Sequence, residues 1–249
     1  MGTIMANNKS EPTTGPVFRT PPGRRIYAIG DIHGRLDLLD RLLALIRQDS
    51  AGRPKETSNV LIFLGDYVDR GPDSAGVLDR IGDVGKEFET HRLLGNHEAM
   101  MRDVLAGDAN WFETWGRNGA AETLESYGLT GPWSAKAIEL ARRRIPPAHR
   151  RLLDGLATHH VEGDYIFVHA GLRPGIALEH QDQQDLIWIR RTFLDSDADF
   201  GCMVVHGHSI SPEIVVKPNR IGIDTGAYRS GTLSCIALEG SEQRILQTL

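Results

Sequence analysis

The sequence predicts an α/β fold: a parallel strand–helix–strand–helix–strand unit, a helical stretch, and a second, largely antiparallel sheet packed on the first. Three observations carry that prediction. Between residues 25 and 94, apolar runs of strand length alternate with apolar residues at helical spacing. Residues 97–156 then read as helical, with breaks at Pro132 and at Pro146-Pro147. From residue 157 onward, short β-rich runs take over.

Taken in order, residues 25–29 form the first expected strand, closed by Gly30. Leu36, Leu39, Leu42, Leu43 and Ile46 follow at helical spacing, and Gly52 and Pro54 end that helix. Val60-Leu61-Ile62-Phe63-Leu64 is a continuous apolar run, as expected of a strand covered on both faces. Pro72 and Asp73 start a second helix with Val77, Leu78 and Ile81 on one face, and a third strand, 90–94, ends at Gly95. The later β-rich runs are 157–161, 165–168, 203–205, 214–216, 221–223 and 233–238. No internal repeat is present and no Pro/Gly-rich linker follows residue 23. One domain is therefore expected over residues 23–249, behind a disordered tail at residues 1–22.

Composition narrows the function classes. The 249 residues are 40% hydrophobic and 24% charged, enough apolar material for a real core. A net charge of −5 leaves no global footprint for nucleic acid, although a local cation still accommodates an anionic substrate. No run reaches the roughly 20 apolar residues of a membrane span, and the N-terminus lacks a secretory pattern. Ala6 stands where a myristoylation motif starting at Gly2 needs Ser or Thr. Two distant cysteines, Cys202 and Cys235, form neither a disulfide framework nor a zinc pattern and fit a reducing cytoplasm. The expectation is a cytoplasmic protein without nucleic-acid or membrane partners; its oligomeric state has no signature.

The stretch "LGDYVDRG" (64–71) brings Asp66, Asp69 and Arg70 to the end of a strand that reads as buried. Carboxylates there need a paired cation. Arg70 is one candidate, giving a plain ion-pair network; a metal ion is the other and requires further ligands. Those ligands stand at the other strand ends: Asp31 and His33 in "GDIHG", Asn96 and His97 in "GNHE", His169 in "VHAG", His206 and His208 in "HGHS". A lone histidine after a strand is usually structural, and Asp beside Gly is ordinary turn chemistry. Five strand ends in order, all with oxygen or imidazole donors and none with cysteine, suit Mn, Fe or Zn at the ligand-binding edge of a sheet. Six or seven ligands are too many for one open catalytic ion and suit two, sharing Asp66.

The combination "GDIHG", "GDYVDRG", "GNHE", "VHAG" and "GHS" resembles the phosphoprotein phosphatase family of calcineurin-like metallophosphoesterases. Within it, spacing and brevity look most like the bacterial and phage (lambda-type) serine/threonine protein phosphatases, over roughly residues 24–240. The resemblance implies a sandwich of two mixed β-sheets flanked by helices, and two divalent metal ions, Mn²⁺ first. It implies that Asp31, His33 and Asp66 hold one ion, and that Asp66, Asn96, His169 and His208 hold the other. Arg70 and Arg190 would bind the phosphate as planar forks. His97, oriented by Asp69, would be the general acid for direct attack by a metal-bridging hydroxide, without a phosphoenzyme. His208 is preferred to His206 by matching "GHS" to the family's Gly-His pair, although on a strand both would point the same way. "NGA" at 118–120 departs from the usual Asn-Gly-Gly, and "GHSIS" from Gly-His-Thr; neither touches an implied ligand.

The implied substrates are phosphoserine and phosphothreonine in proteins. The alternative is diadenosine tetraphosphate or related nucleotides, whose hydrolases typically carry Ala where Asp69 stands and "GNHD" in place of "GNHE". A dead scaffold of the same fold would have lost ligands, and every slot here is filled. Residues 141–151 form a basic cluster read as a solvated helix face, and Trp111 and Trp115 read as a buried helical stripe. His91, His149, His159, His160 and His180 read as structural, and Asp224 in "IGIDTG" ends another strand as a candidate to line the site, with no ligand slot left to fill. No aromatic clamp for a base is expected beside the site.

Overall fold

The computed structural model describes residues 3–5, 16–53 and 57–248. The strands are β1 (Thr3–Met5), β2 (Arg24–Ile29), β3 (Ser58–Phe63), β4 (Glu89–Arg92), β5 (His159–Glu162), β6 (Tyr165–Val168), β7 (Met203–His206), β8 (Val215–Val216), β9 (Arg220–Gly222), β10 (Ser234–Glu239) and β11 (Glu242–Gln247). They form one sheet in the order β1-β11-β10-β2-β3-β4 and another in the order β5-β6-β7-β9-β8. Both sheets are mixed, as the resemblance implied.

Side-chain alternation explains the layering. In β2 and β3, Ile26, Ala28, Val60 and Ile62 face the second sheet, where they meet Tyr165, Phe167, Met203 and Val205. Tyr27, Ile29, Leu61 and Phe63 point the other way, into a helical layer. That layer is α1 (Leu36–Ala51), α2 (Ser74–Asp83), α3 (Asn96–Ala106), α4 (Phe112–Arg117), α5 (Ala120–Ser126), α6 (Ala135–Arg144) and α7 (Pro147–Asp154). Of the apolar face expected of α1, Leu39, Leu42, Leu43 and Ile46 are buried, whereas Leu36 is only half-buried at the first turn and Leu38, outside the expected set, is buried. On the outer face of the second sheet, Ile166, Val168 and Val204 pack against Leu186 and Ile187 of α8 (Gln183–Trp188) and Phe193 of α9 (Arg191–Leu194).

Three expectations are corrected. The second sheet is not largely antiparallel, because β6–β7 and β7–β9 are parallel. Parallel neighbours need long crossovers, and residues 169–202 with α8 and α9 supply the first. Residues 234–239 do not join the second sheet but pair antiparallel with β2, then turn through Gly240 and Ser241 into β11, which the sequence reading missed. Of the expected tail, residues 1, 2 and 6–15 lie outside the described residues, while Thr3–Met5 pairs with β11. Residues 16–22 are held by backbone bonds to both sheets: Thr20 N–H to Gly240 O at 3.0 Å, and Asp164 N–H to Arg19 O at 2.9 Å.

The 141–151 cluster serves partly as internal caps, since Arg142 donates to the Leu105 carbonyl and Arg144 to that of Tyr127. Phe167 is fully buried between the sheets. Phe167→Ala is expected to cost ~3–5 kcal/mol of stability. Urea unfolding with an unchanged slope measures it, and a loss under ~1 kcal/mol would contradict the sandwich core.

Candidate active site

Among the described residues, the non-glycine residues at positive φ are His33 (47°), Asp66 (52°), Asp69 (73°), Arg70 (68°) and His208 (61°). Each is a site residue expected from the sequence. A left-handed non-glycine residue costs ~1–3 kcal/mol, so the surrounding structure must hold it. Glu98, fully buried at the start of α3, holds the 65–68 turn. Its Oε2 accepts from Asp66 N–H (2.8 Å) and Gly95 N–H (3.1 Å), and its Oε1 from Tyr67 N–H (2.7 Å) and Val68 N–H (3.1 Å). A Cβ on Gly95 would stand 2.3 Å from the Asp66 nitrogen, so only glycine allows this approach. Glu98 was not among the expected site residues; its place in "GNHE" is the signal that marks it.

The loops after β2, β3, β4, β6 and β7 converge on Asp66. His33 Nε2 lies 3.5 Å from Asp66 Oδ2, and His169 Nε2 lies 3.4 Å from Asp66 Oδ1. Donor atoms of Asp66, His169 and His208 lie within 4.8 Å of one another, as do those of His33, Asp66 and His97. Asp31 joins them by accepting the His208 backbone N–H at 3.1 Å. His206 stays apart, its Nδ1 3.0 Å from the Gly207 carbonyl and its ring perpendicular to Phe193. The two histidines diverge because His208 is left-handed, which corrects the strand-like expectation.

The donor set fits metal ions on its own chemistry. His33 and His169 each place Nδ1 2.9 Å from a backbone carbonyl, of Val68 and Leu64 respectively, so each Nδ1 carries the proton and Nε2 is bare. The bare Nε2 of His169 then faces Asn96 Oδ1 at 3.0 Å, two lone pairs that a shared cation reconciles. The buried Nε2 of His208 has no hydrogen-bond partner. Burial pushes the His208 imidazole down to about 2 and holds His33 well below its ordinary value. Burial also opposes the charge on Asp66, but the flanking His169, His97, His33 and His208 outweigh it and hold that carboxyl well below the usual range.

His97 takes a different direction. Its Nδ1 is 2.6 Å from Asp69 Oδ2, and its Nε2 stands 3.8 Å from Asp66 Oδ2. Asp69 is fully buried and accepts also from Trp115 Nε1 (2.9 Å) and Thr123 Oγ1 (2.6 Å). Burial lowers the His97 imidazole, yet the charges of Asp66 and Asp69 outweigh it and raise its pKa. Trp115 and Thr123 were not among the expected site residues; their link to Asp69 runs through tertiary packing.

Arg70 donates from Nη1 to His33 Nε2 at 3.1 Å and lies over the Tyr228 ring, 4.9 Å from its centroid. Arg190 is exposed at the start of α9, and its charge lowers both His169 and His208. Trp188 stands 6.0 Å from His208 and stacks on Trp111 at 5.7 Å and 8°. Both indoles are half-buried, so Trp111 is not the fully buried stripe residue expected, and an aromatic surface does flank the site.

Asp224 adjoins Asp31, and burial pushes it up to about 6, with the Asp66 charge adding to the rise and the Gly226 N–H opposing it. A raised acid costs the folded state nothing below the unfolded value near 3.8, and its penalty grows as pH rises through about 6. In metal-stripped protein, Asp224→Asn should therefore raise Tm at pH 7.5 and leave it nearly unchanged at pH 3.5. Equal shifts at both pH values would remove this carboxylate from the balance.

The chain matches 32% of residues over 154 positions of the symmetrical bis(5'-nucleosyl)-tetraphosphatase of Nitrosospira multiformis, covering 62% of this chain and 46% of that one. The enzyme of the same name from Legionella pneumophila (strain Lens) is 37% identical over 122 residues, 47% of this chain and 39% of that one. The match thus spans less than half the length of these relatives. Among solved structures, a putative diadenosine tetraphosphatase superposes with a TM-score of 0.63 at 21% identity, covering 93% of this chain and 99% of that one. A protein serine/threonine phosphatase from Saccharomyces cerevisiae gives 0.56 at 16%, covering 91% and 80%; at such identities the likeness shows the fold alone. Residues 24–230 match the family model described as calcineurin-like phosphoesterase, and the chain belongs to that family of metal-dependent hydrolases.

Proposed function

We propose that this chain hydrolyses bis(5'-nucleosyl) tetraphosphates or related nucleotides at a dinuclear metal centre. The names of its curated relatives support that reading over the expected phosphoprotein substrate. The observation in the molecule that carries it is the Trp111–Trp188 stack beside His208, an aromatic surface where a base beyond the scissile phosphate can lie. Asp31, His33 and Asp66 hold one ion, and Asp66, Asn96, His169 and His208 the other, with Mn²⁺ the proposed metal. Bound there, two ions neutralise phosphate charge and activate water. Arg70 and Arg190 grip phosphoryl oxygens, and His97 delivers the proton on Nε2 to the leaving oxygen while Asp69 stabilises its charge. A cytoplasmic site of action without membrane partners is part of this proposal, supported by the two unpaired cysteines Cys202 and Cys235; no helix among the described residues is long and apolar enough to cross a membrane. The net charge of −5 supports the absence of a nucleic-acid partner.

One observation favours a second reading, the dephosphorylation of phosphoserine or phosphothreonine in proteins, as in the bacterial and phage enzymes that the motifs resemble. The Asp69–His97 pair at 2.6 Å is built to protonate a basic leaving group. A serine alkoxide needs that proton far more than a nucleoside diphosphate does.

Kinetics on diadenosine tetraphosphate and a phosphothreonine peptide, side by side, decide between the two. The dinucleotide is expected to have at least a tenfold higher kcat/KM, ~1.4 kcal/mol in transition-state binding. The reverse order would make this a protein phosphatase. Trp111→Ala should raise KM for the dinucleotide about 5-fold or more, the worth of one stacked base, and leave p-nitrophenyl phosphate unaffected.

The roles of the two acids separate cleanly. Asp66→Asn is expected to lose metal by elemental analysis. Asp69→Asn should retain it while slowing turnover ~10²–10⁴-fold on phosphothreonine, and less on the dinucleotide. If both variants keep their metal, Asp66 is not shared between two ions.

A further inference from the structure

A second group of ligand-type side chains lies outside the active site, where the edge strands β4 and β5 of the two sheets meet. Leu93 and Ala157 form a parallel bridge there. It brings His91 of β4 beside His160 of β5, their rings stacked at 3.6 Å and 22°. Glu162, two residues along β5 from His160, projects from the same face, and its Oε2 lies 3.0 Å from His160 Nε2. One donor atom each of His91, His160 and Glu162 can be chosen so that all lie within 4.8 Å of one another. The three side chains are half-buried. A cavity of about 360 Å³ opens beside the two rings, lined also by Arg151, Leu152 and Gly155.

We propose that His91, His160 and Glu162 form a further divalent-cation site, of zinc type, joining the edges of the two sheets. Two imidazoles and one carboxylate are donors zinc takes at 2.0–2.2 Å, and three protein ligands leave a fourth position for water from the cavity. Calcium and magnesium want all-oxygen shells and fit poorly. Arg24 donates to Glu162 Oε1 and to both oxygens of Glu89, which leaves Glu162 Oε2 for an ion without breaking that network. Binding turns the two rings out of their stack so that one nitrogen of each aims at the ion, and it replaces the His160–Glu162 hydrogen bond and the 3.3 Å contact between His91 Nε2 and Glu89 Oε1; any proton on the coordinating nitrogens passes to solvent.

The test loads wild type, His91→Ala and His160→Ala with Mn²⁺, then titrates each with Zn²⁺ and measures bound zinc and Tm. Wild type is expected to bind one more zinc per chain than either variant, and only its Tm should rise with that step. Affinity for this ion should fall about tenfold or more in the variants. Hydrolysis of p-nitrophenyl phosphate by the Mn²⁺-loaded variants should match wild type, since neither residue touches the active site. Should a histidine variant fail to fold, Glu162→Gln keeps the side-chain shape and carries the same expectation. Equal zinc binding in wild type and variants overturns the proposal and leaves the stack as a plain polar cluster.

Discussion

The site depends on one constraint: the turn from Gly65 to Gly71 must stay in a backbone conformation that its residues disfavour. Asp66, Asp69 and Arg70 are all left-handed, and this sends three nearby side chains in three directions. Asp66 enters the histidine cluster, Asp69 turns into the helical layer toward Trp115 and Thr123, and Arg70 lies over Tyr228. The four N–H groups gathered by Glu98 offset that strain. Residues Asn96, His97 and Glu98 are consecutive at the start of α3, so they fan out by about 100° per residue. One helical turn thereby supplies a donor beside His169, the imidazole paired with Asp69 and the clamp for the turn.

The electrostatics of the buried cluster follow from that geometry. Burial drives Asp31 and Asp224 toward their protonated forms and His33, His169 and His208 toward their neutral ones. Neutral imidazoles are what metal ions bind, and a cation reverses the penalty on the carboxylates. The same burial that would make these groups poor ion pairs makes them good ligands. This is why an Arg70–Asp66–Asp69 ion-pair network, the plain reading of "GDYVDRG", does not describe the molecule: the Arg70 guanidinium goes to His33 and Tyr228 instead.

Much of this was legible in the sequence, and the failures share a cause. Strands β2, β3, β6 and β7 were readable because their apolar runs end at glycine-flanked polar residues, and the same punctuation marked the ligand candidates. The direction of strands in the second sheet was not, since pairing depends on crossovers rather than periodicity. In β11, Glu242-Gln243-Arg244-Ile245-Leu246-Gln247 buries Arg244 with Leu246, so its alternation does not look apolar. The support of Asp69 by Trp115 and Thr123 spans 46 and 54 residues, and no local pattern encodes such contacts. The Trp111–Trp188 stack is of the same kind.

What separates the two substrate readings lies in two different groups of side chains. His97 pairs with Asp69 at 2.6 Å, while Trp188, beside His208, stacks on Trp111. The value of the acid pair rises with the basicity of the leaving oxygen, and is small for a nucleoside diphosphate that departs as a stable anion. The value of the aromatic wall rises with the π-surface of what lies beyond the phosphate, and is small for a serine side chain. Because the two share no residue, the contributions proposed for phosphomonoester and for phosphoanhydride substrates are physically separable. Substrate preference is then a difference between two independent contributions laid over one common metal-binding core.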